Sequence, residues 1–190
     1  MPSKEKYTRA DIVSAGVELI RSRGEAVLNA RSLAAALHCS TQPIFRHFAS
    51  MEELRAAVLE QTHTCYRQFM EAYLAASGDP PYKASGMAYI AFARQEPRLF
   101  RMLFMRSRPD QHAGPEQGDW EPTLAAVERV TGLSRPEAEL FHLEMWAIVH
   151  GIAVMQATNY LDLEEKTVSQ MLTDAYRGIT QRWEERHERH

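Results

Sequence analysis

Cysteine is scarce in this chain, which has two, Cys39 and Cys65, among 190 residues. Two cysteines cannot form a disulfide framework or a cysteine-based zinc site, and we expect each to be a small buried side chain. The sequence also lacks a glycine-rich phosphate loop and a nucleophile elbow, the motifs by which many nucleotide-binding proteins and hydrolases are recognised. At this length the chain can still bury a proper apolar core.

Long apolar runs are absent too. No segment reaches the roughly 20 apolar residues needed to cross a bilayer, and the first residues do not resemble a signal peptide. We therefore expect a cytoplasmic protein without membrane contact.

Strand-like alternation of apolar and polar residues does not persist anywhere, and no internal repeat is visible. Helix signals are frequent instead, including capping-box patterns that begin at Thr8, Ser50 and Ser134. The sequence predicts an all-α fold of about nine helices, with the Pro- and Gly-rich stretch 107–119 as a loop. The later helices are expected at about 82–95, 98–106, 120–131, 135–159 and 164–187.

Charge is unevenly distributed along the chain. The net charge of −3 argues against a protein that coats nucleic acid over its whole surface. Residues 1–50, however, carry seven basic and four acidic side chains, whereas the remainder is acidic. A basic N-terminal segment followed by an acidic remainder favours nucleic-acid binding at one end of the molecule. An ordinary enzyme is also compatible with this near-neutral net charge.

Residues 29–48 are the most informative segment. Asn29 is suited to cap a short helix in which Leu33 and Leu37 share one face. His38-Cys39-Ser40 interrupts this helix, and Ser40 is predicted to cap a second helix that begins at Thr41. Pro43 is tolerated in that helix because the first helical turn has no intrahelical partners for its N–H groups.

The second helix of this segment has a polar outer face. Ile44 and Phe48 lie four residues apart and face inward, which leaves Thr41, Gln42, Phe45 and Arg46 pointing outward. Two short helices joined by a three-residue turn are typical of a helix-turn-helix, whose second helix enters the DNA major groove.

The helix order resembles that of a known family. Three helices in the first 48 residues precede a long connecting helix and a larger helical body, with Leu-Ala-Ala-Ala-Leu at 33–37 and Ile-Phe-Arg-His-Phe at 44–48. Together these features resemble the TetR family of bacterial transcriptional regulators, specifically over about residues 8–65 and architecturally beyond. The segment 145–152 also resembles the Trp-His-Gly signature of one C-terminal subgroup.

The resemblance implies a DNA-binding domain over 1–50 and a ligand-sensing and dimerisation domain over 51–190. It implies a ligand-responsive regulator, most often a repressor, that binds a palindromic operator in double-stranded DNA as a homodimer. Gln42 can bond adenine and Arg46 guanine, while Ser40 and His47 are suited to phosphate. The predicted DNA-binding residues are Arg31, Ser32, Ser40, Thr41, Gln42, Pro43, Phe45, Arg46 and His47.

Three residues depart from the family pattern. His38 stands where the family usually has glycine, at a turn that favours a left-handed backbone. Phe45 replaces a common tyrosine and Met51 replaces a common lysine, and each change removes a side chain suited to phosphate.

The helix over 140–155 is apolar nearly all round, so it must be covered on both sides. A second subunit is the more economical cover, since the family pairs through its last two long helices. In the last helix Val168, Leu172, Ala175, Ile179 and Trp183 form a contact stripe, for which the interior of the same chain is an equally good explanation.

Large soft and aromatic side chains are frequent in the middle helices, and a plain core is the simpler explanation of them. We nevertheless predict a small, mostly apolar effector between the long helix that follows Ser50 and the helix containing Trp146. Its predicted binding residues are Tyr66, Phe69, Met70, Tyr73, Phe92, Met105, Trp120, Phe141, Met145, Trp146 and His150.

An enzyme is the alternative hypothesis. Two Glu-x-x-His motifs, at 60–63 and 139–142, have the spacing that di-iron carboxylate bundles use. Further carboxylates would have to come from Glu71, Glu96 or Glu128, none of which lies in an apolar run. We therefore predict no catalytic residue, no bound metal and no cofactor.

Overall fold

The computed structural model describes residues 7–105 and 117–187, the side chains of 117–119 and 187 excepted. Within these ranges the fold is all-α, as predicted, with one 3-10 turn at Glu25–Val27 and no strand. The helices are α1 Arg9–Arg23, α2 Ala30–Ala36, α3 Gln42–His47, α4 Met51–Ala76, α5 Pro81–Gln95, α6 Pro97–Phe104, α7 Gln117–Thr131, α8 Arg135–Ala157 and α9 Glu165–His187.

Local hydrogen bonds explain several helix ends. Thr8 and Asp11 form the predicted capping box of α1, and Gly24 ends the helix with a φ of 88°. Ser134 and Glu137 form the capping box of α8 in the same way. The predicted loop over 107–119 lies mostly outside the described residues, and its last three positions are helical instead, because α7 begins at Gln117.

The chain divides into two compact units. The first contains α1–α3, most of α4 and α6, and the second contains the end of α4, α5 and α7–α9. The predicted functional boundary between residues 50 and 51 does not separate these units, because α4 continues the first unit as far as Glu71. The division into a DNA-binding and a sensing domain remains a prediction about function.

The first unit has a tight apolar core. Ile12, Ile20, Leu33, Ile44 and Leu54 are fully buried, so α1 to α4 share one interior. Closely packed helices of this kind hold their outer faces in a fixed geometry.

Ionic contacts join α1 to α6 within the first unit. Arg21 Nε lies 2.9 Å from Glu96 Oε2, just before α6 begins. In the other direction, Arg98 Nη1 donates to the Arg21 carbonyl at 3.0 Å. The end of α1 is therefore held to the start of α6 by side chains from both helices.

The second unit has its own core, which includes Phe141, Met145 and Trp183. Val168, Leu172 and Trp183 of the predicted contact stripe are buried within the chain. The intrachain explanation is correct for these three positions, because the inner face of α9 packs on the second unit itself.

Two smaller expectations need correction. Cys39 and Cys65 are half-buried free thiols rather than fully buried side chains. In addition, α8 is long and apolar enough to span a membrane by length and composition alone, contrary to the expectation that no segment qualifies. Glu139, His142, Glu144 and His150 interrupt the apolar surface of α8.

Candidate functional site

The first helix of the 29–48 segment has the predicted start. Asn29 is its N-cap, and the Asn29 side chain accepts a hydrogen bond from the Ser32 amide at 2.9 Å. Leu33 and Ala34 are buried, which turns the inner face of α2 toward the core. Arg31, on the opposite face, is exposed.

The turn after α2 is a Schellman motif centred on His38. The Cys39 amide donates to the Ala34 carbonyl and the His38 amide donates to the Ala35 carbonyl. His38 has a φ of 51°, the left-handed conformation that glycine adopts most easily. The expectation of a left-handed residue at this position is confirmed.

The start of α3 differs from the prediction by one residue. The helix begins at Gln42, its N-cap is Thr41, and no side chain caps it. Ser40 is therefore not the cap, because Thr41 already has helical angles of −72° and −14° whereas a capping residue is usually extended. Pro43 lies in the first turn, as predicted.

The two faces of α3 are distinct. Ile44 and Phe48 are 0% and 1% exposed, so they anchor the helix to the core. Gln42 and Arg46 are exposed and the Phe45 ring is 49% exposed. The structure therefore presents three of the predicted DNA-binding side chains on one outward face, in the arrangement that a groove-reading helix requires.

Tyr7 fastens the N-terminus to this motif and was not singled out from the sequence. Its hydroxyl donates to the Leu37 carbonyl at the end of α2. Its own carbonyl lies 3.0 Å from Nε2 of His47, the last residue of α3. His47 thus has a positioning role in addition to any contact with phosphate. A lone tyrosine just before a cap carries no sequence signal for such contacts.

The start of α4 lies next to the end of α3. Ser50 Oγ accepts from the Glu53 amide at 3.2 Å, and the Glu53 carboxylate accepts from the Ala49 amide at 2.7 Å. The Ala49 amide and then Arg9 hold the pKa of Glu53 below its ordinary value. Arg9 also lies over the Phe48 ring at 4.5 Å.

The predicted DNA-binding residues divide by exposure. The exposed members can reach a ligand without rearrangement, whereas the half-buried members also contribute to the turn and its packing. The exposed members are Arg31, Ser40, Gln42, Phe45 and Arg46, and the half-buried members are Ser32, Thr41, Pro43 and His47.

In the second unit, aromatic rings surround His150. The Trp146 ring is stacked on His150, with centroids 4.8 Å apart and planes at 8°. Tyr89 OH lies 2.9 Å from His150 Nδ1, and Trp120 lies 6.2 Å from Trp146. Three predicted effector-binding residues, Trp120, Trp146 and His150, are therefore brought together.

A second tyrosine–histidine pair lies about two helical turns earlier on the same two helices, α5 and α8. Tyr82 OH is 2.9 Å from His142 Nδ1, and the Trp120 ring meets His142 edge-on. Burial lowers the pKa of both His142 and His150. A lowered pKa favours the neutral form of each ring, which can accept the tyrosine hydrogen bond.

The remaining predicted effector-binding residues do not form one cluster. Phe92, Phe141 and Met145 are fully buried, and they act as core side chains of the second unit. Tyr66, Phe69 and Met70 are half-buried in the first unit, where Tyr66 meets Phe104 edge-on. Tyr73 is half-buried in the second unit, and Met105 is 40% exposed in the first.

The metal-enzyme hypothesis has no support in the described part of the chain. Glu139 is paired with Arg135 and His142 with Tyr82. Among residues 7–105 and 117–187 no three potential ligands cluster around a common point. The charges of the Glu-x-x-His motifs are accounted for by surface pairs instead, such as Glu60 with Arg67.

Comparison with known structures shows the same fold in transcriptional regulators. A TetR-like transcriptional regulator from Rhodococcus sp. is 16% identical at a TM-score of 0.65, with 92% of this chain and 98% of that chain covered. A proposed transcriptional regulator from Pseudomonas aeruginosa is 16% identical at 0.63, with 94% and 93% covered.

SmeT, the repressor of the Stenotrophomonas maltophilia multidrug efflux pump SmeDEF, is 18% identical at a TM-score of 0.53, with 90% and 89% covered. At such identities these likenesses establish the fold alone. A comparison with curated proteins finds no match.

Family comparison is more specific. Residues 12–58 match the family described as bacterial regulatory proteins, tetR family. Residues 82–177, half of the chain, match the tetracyclin repressor-like C-terminal domain. Both are domains of transcriptional regulators rather than enzymes. The chain therefore belongs to the TetR family of bacterial transcriptional regulators.

Proposed function

We propose that this chain is a ligand-responsive repressor that binds a palindromic DNA operator as a homodimer. The observation that carries the proposal is the outward face of α3, where Gln42, Phe45 and Arg46 are exposed above the buried anchors Ile44 and Phe48. The amide of Gln42 suits adenine and the guanidinium of Arg46 suits guanine. Repression is favoured by the shared fold of SmeT, itself a repressor.

Charge supports the same face. Arg31 on α2 and Arg46 on α3 are both exposed. Neither forms an ion pair with an acidic side chain among the described residues, so their charge remains available to DNA. Phosphate contacts contribute most of the affinity and base contacts most of the discrimination.

Pairing of two subunits is supported by an uncovered face of α8. Leu140 and Leu143 are 42% and 46% exposed, and Ala147 follows on the same stripe. Apart from the backbone of its own helix turn, a Cβ added at Gly151 would meet no atom of the described residues within 4 Å, and the same holds for Gly178 on α9. Such open, apolar and small positions allow close approach of helices from a second copy.

Two reading helices are needed for a palindrome. Half-sites one DNA turn apart place the α3 helices of the two subunits roughly 34 Å from each other. An effector that favours dimers with another spacing lowers the affinity for DNA by shifting the population.

We also propose that the chain is cytoplasmic, has no membrane contact and belongs to the Trp-His-Gly subgroup. Trp146, His150 and Gly151 carry that signature, and the stacked Trp146 and His150 rings give it a structural basis.

Trp120, Trp146 and His150 are the best supported part of the predicted effector site. Their flat rings and neutral imidazole suit a small, mostly apolar effector.

Selection of bound fragments from a random DNA library tests the regulatory proposal. We expect the purified protein to enrich a palindromic consensus. Enrichment of single half-sites would remove the dimer from the proposal, and no enrichment would remove sequence-specific DNA binding. Thermal-shift screening with small aromatic compounds tests the effector, and the shift should disappear in Trp146→Ala if the compound binds there.

A further inference from the structure

A small cavity lies in the second unit, where α7 ends against α8 and α9. Its volume is about 120 Å³, and Leu133, Phe141, Tyr176 and Trp183 supply apolar and aromatic walls. Of the predicted effector-binding residues Phe141 alone lines it, so the cavity is separate from the cluster around Trp146 and His150.

A buried hydroxyl gives the cavity a specific polar group. Thr180 lines it, and Thr180 Oγ1 is buried without a hydrogen-bond partner among the described residues. Other helical threonines in this chain, such as Thr62, Thr131 and Thr173, donate to the carbonyl four residues earlier. Burying a hydroxyl without a hydrogen-bond partner is unfavourable, so a ligand that pairs with it gains a directional contact.

The size of the cavity limits the ligand to one ring. An enclosed apolar cavity of about 150 Å³ holds benzene, so this smaller cavity can take a single ring only because it opens to solvent beside Val130. The aromatic walls formed by Phe141, Tyr176 and Trp183 favour edge or offset contacts with a flat ring.

Charge narrows the ligand further. Arg182 and Arg186 lie 5.7 and 5.1 Å from the centroid of the Trp183 ring, but the charged residue that lines the cavity itself is Glu184. An anion would therefore lose hydration in the cavity without gaining a cationic partner among the residues that line it. Val130 is 72% exposed at the rim, which leaves a route for entry from solvent.

We infer that this cavity binds a small neutral aromatic alcohol of the phenol class, whose hydroxyl pairs with Thr180 and whose ring lies among Phe141, Tyr176 and Trp183. The inference does not depend on DNA binding, and its test reports on binding alone.

Calorimetric titration of the full chain with phenol, toluene and benzoate tests this site. We expect saturable binding of one phenol per chain, weaker binding of toluene and no binding of benzoate. In proton–nitrogen spectra the indole signal of Trp183 should move on addition of phenol, whereas those of Trp120 and Trp146 should stay in place. Movement of the Trp146 signal instead of that of Trp183 would assign phenol to the effector cluster and overturn the inference.

Variants at Thr180 distinguish the contribution of its hydroxyl to ligand binding from that of the cavity volume. Thr180→Val should weaken phenol binding roughly fivefold, the value of one net hydrogen bond, and leave toluene binding unchanged. Thr180→Leu should fill the cavity and abolish binding of both. Thr173→Val, on the same helix but away from the cavity, is the matched control.

Three further results would contradict the inference. They are the absence of saturable phenol binding to the wild-type chain, full phenol affinity in Thr180→Leu, and equal phenol affinity in Thr180→Val and the wild type. If Thr180→Leu does not fold, the phenol affinity of Thr180→Val still tests the inference. This variant should fold, because the hydroxyl that it removes makes no hydrogen bond in the described structure.

Discussion

His38 has a backbone conformation that most side chains avoid. Its φ of 51° follows α2 in a Schellman motif, where the absence of a Cβ is an advantage. We expect His38→Gly to raise the free energy of unfolding by about 0.5–1 kcal/mol, because it relieves this strain at some cost in chain entropy. Chemical denaturation measures the change.

Asn159→Gly is the matched control for this prediction. Asn159 has a φ of 54° after α8, and asparagine tolerates the left-handed region better than histidine does. The gain from Asn159→Gly should be the smaller of the two. A destabilised His38→Gly variant would show that the His38 side chain contributes more than its backbone strain costs.

The buried histidines predict a pH dependence. Burial lowers the pKa of His142 and His150 from the ordinary value of 6.5 in the folded chain. Below that pH the unfolded chain takes up protons that the folded chain does not, so stability is lost as the pH falls from 7.5 to 5.5. Unfolding followed by circular dichroism across this range measures the slope.

The double variant His142→Gln and His150→Gln tests the origin of that slope. Glutamine can still accept the hydrogen bonds from Tyr82 and Tyr89 but does not titrate. We expect a shallower loss of stability toward acid in this variant. An unchanged slope would assign the effect to other groups.

At the scale of helices, Gly16 allows α1 and α4 to approach closely. A Cβ at Gly16 would lie 2.7 Å from Val58 Cγ2, and the β-branched valine has little freedom to move. We expect Gly16→Ala to cost about 1 kcal/mol, because the clash outweighs the gain in helix propensity. The midpoint of urea unfolding gives the measurement.

A shorter side chain at Val58, which faces Gly16, provides the control. The double variant Gly16→Ala with Val58→Ala should lose less free energy of unfolding than the two single variants lose together, because alanine at position 58 leaves room for the new Cβ. Additive effects would mean that the two residues do not limit the approach of these helices.

The sequence predicts well those elements that depend on neighbours along the chain. The cap of α2 by Asn29 and the inward pair Ile44 and Phe48 follow from local spacing and are confirmed. The left-handed turn at His38 follows from the family resemblance and is confirmed too. The start of α3 is less predictable, because Ser40 and Thr41 are both good capping residues and the geometry of the turn decides between them.

Contacts between distant residues are the part that spacing does not reveal. Tyr82 and Tyr89 on α5 pair with His142 and His150 on α8, which are about 60 positions away in the sequence. Composition identified Trp146 and His150 as candidates but gave no reason to include Tyr89. The apolar residues of α9 likewise do not reveal whether their stripe contacts a second subunit or the interior of the same chain. The packing of the second unit shows that it faces the interior.

At the scale of the whole molecule, the uncovered stripe on α8 predicts a dimer that depends on a few side chains. We expect Leu143→Glu to convert dimers into monomers, because two buried carboxylates at a symmetric contact lose their hydration. Analytical ultracentrifugation measures the change. Leu143 is 46% exposed within one chain, so its replacement should leave the fold intact.

Leu74→Glu is the control for charge at an exposed apolar position. Leu74 is 39% exposed and lies on α4, a different helix from the one that carries the stripe. This variant should remain dimeric. If Leu143→Glu also remained dimeric, the stripe would not be the contact between subunits.

If the outward face of α3 reads base edges, Arg46→Ala should weaken binding to the recognised sequence more than binding to other DNA. Fluorescence anisotropy compares the affinity of wild-type and variant protein for the selected palindrome and for a scrambled sequence of the same length. We expect the variant to lose about 1–3 kcal/mol on the palindrome and much less on the scrambled sequence. An equal loss on both would make Arg46 a phosphate contact, and no loss on either would contradict the assignment of this face to DNA.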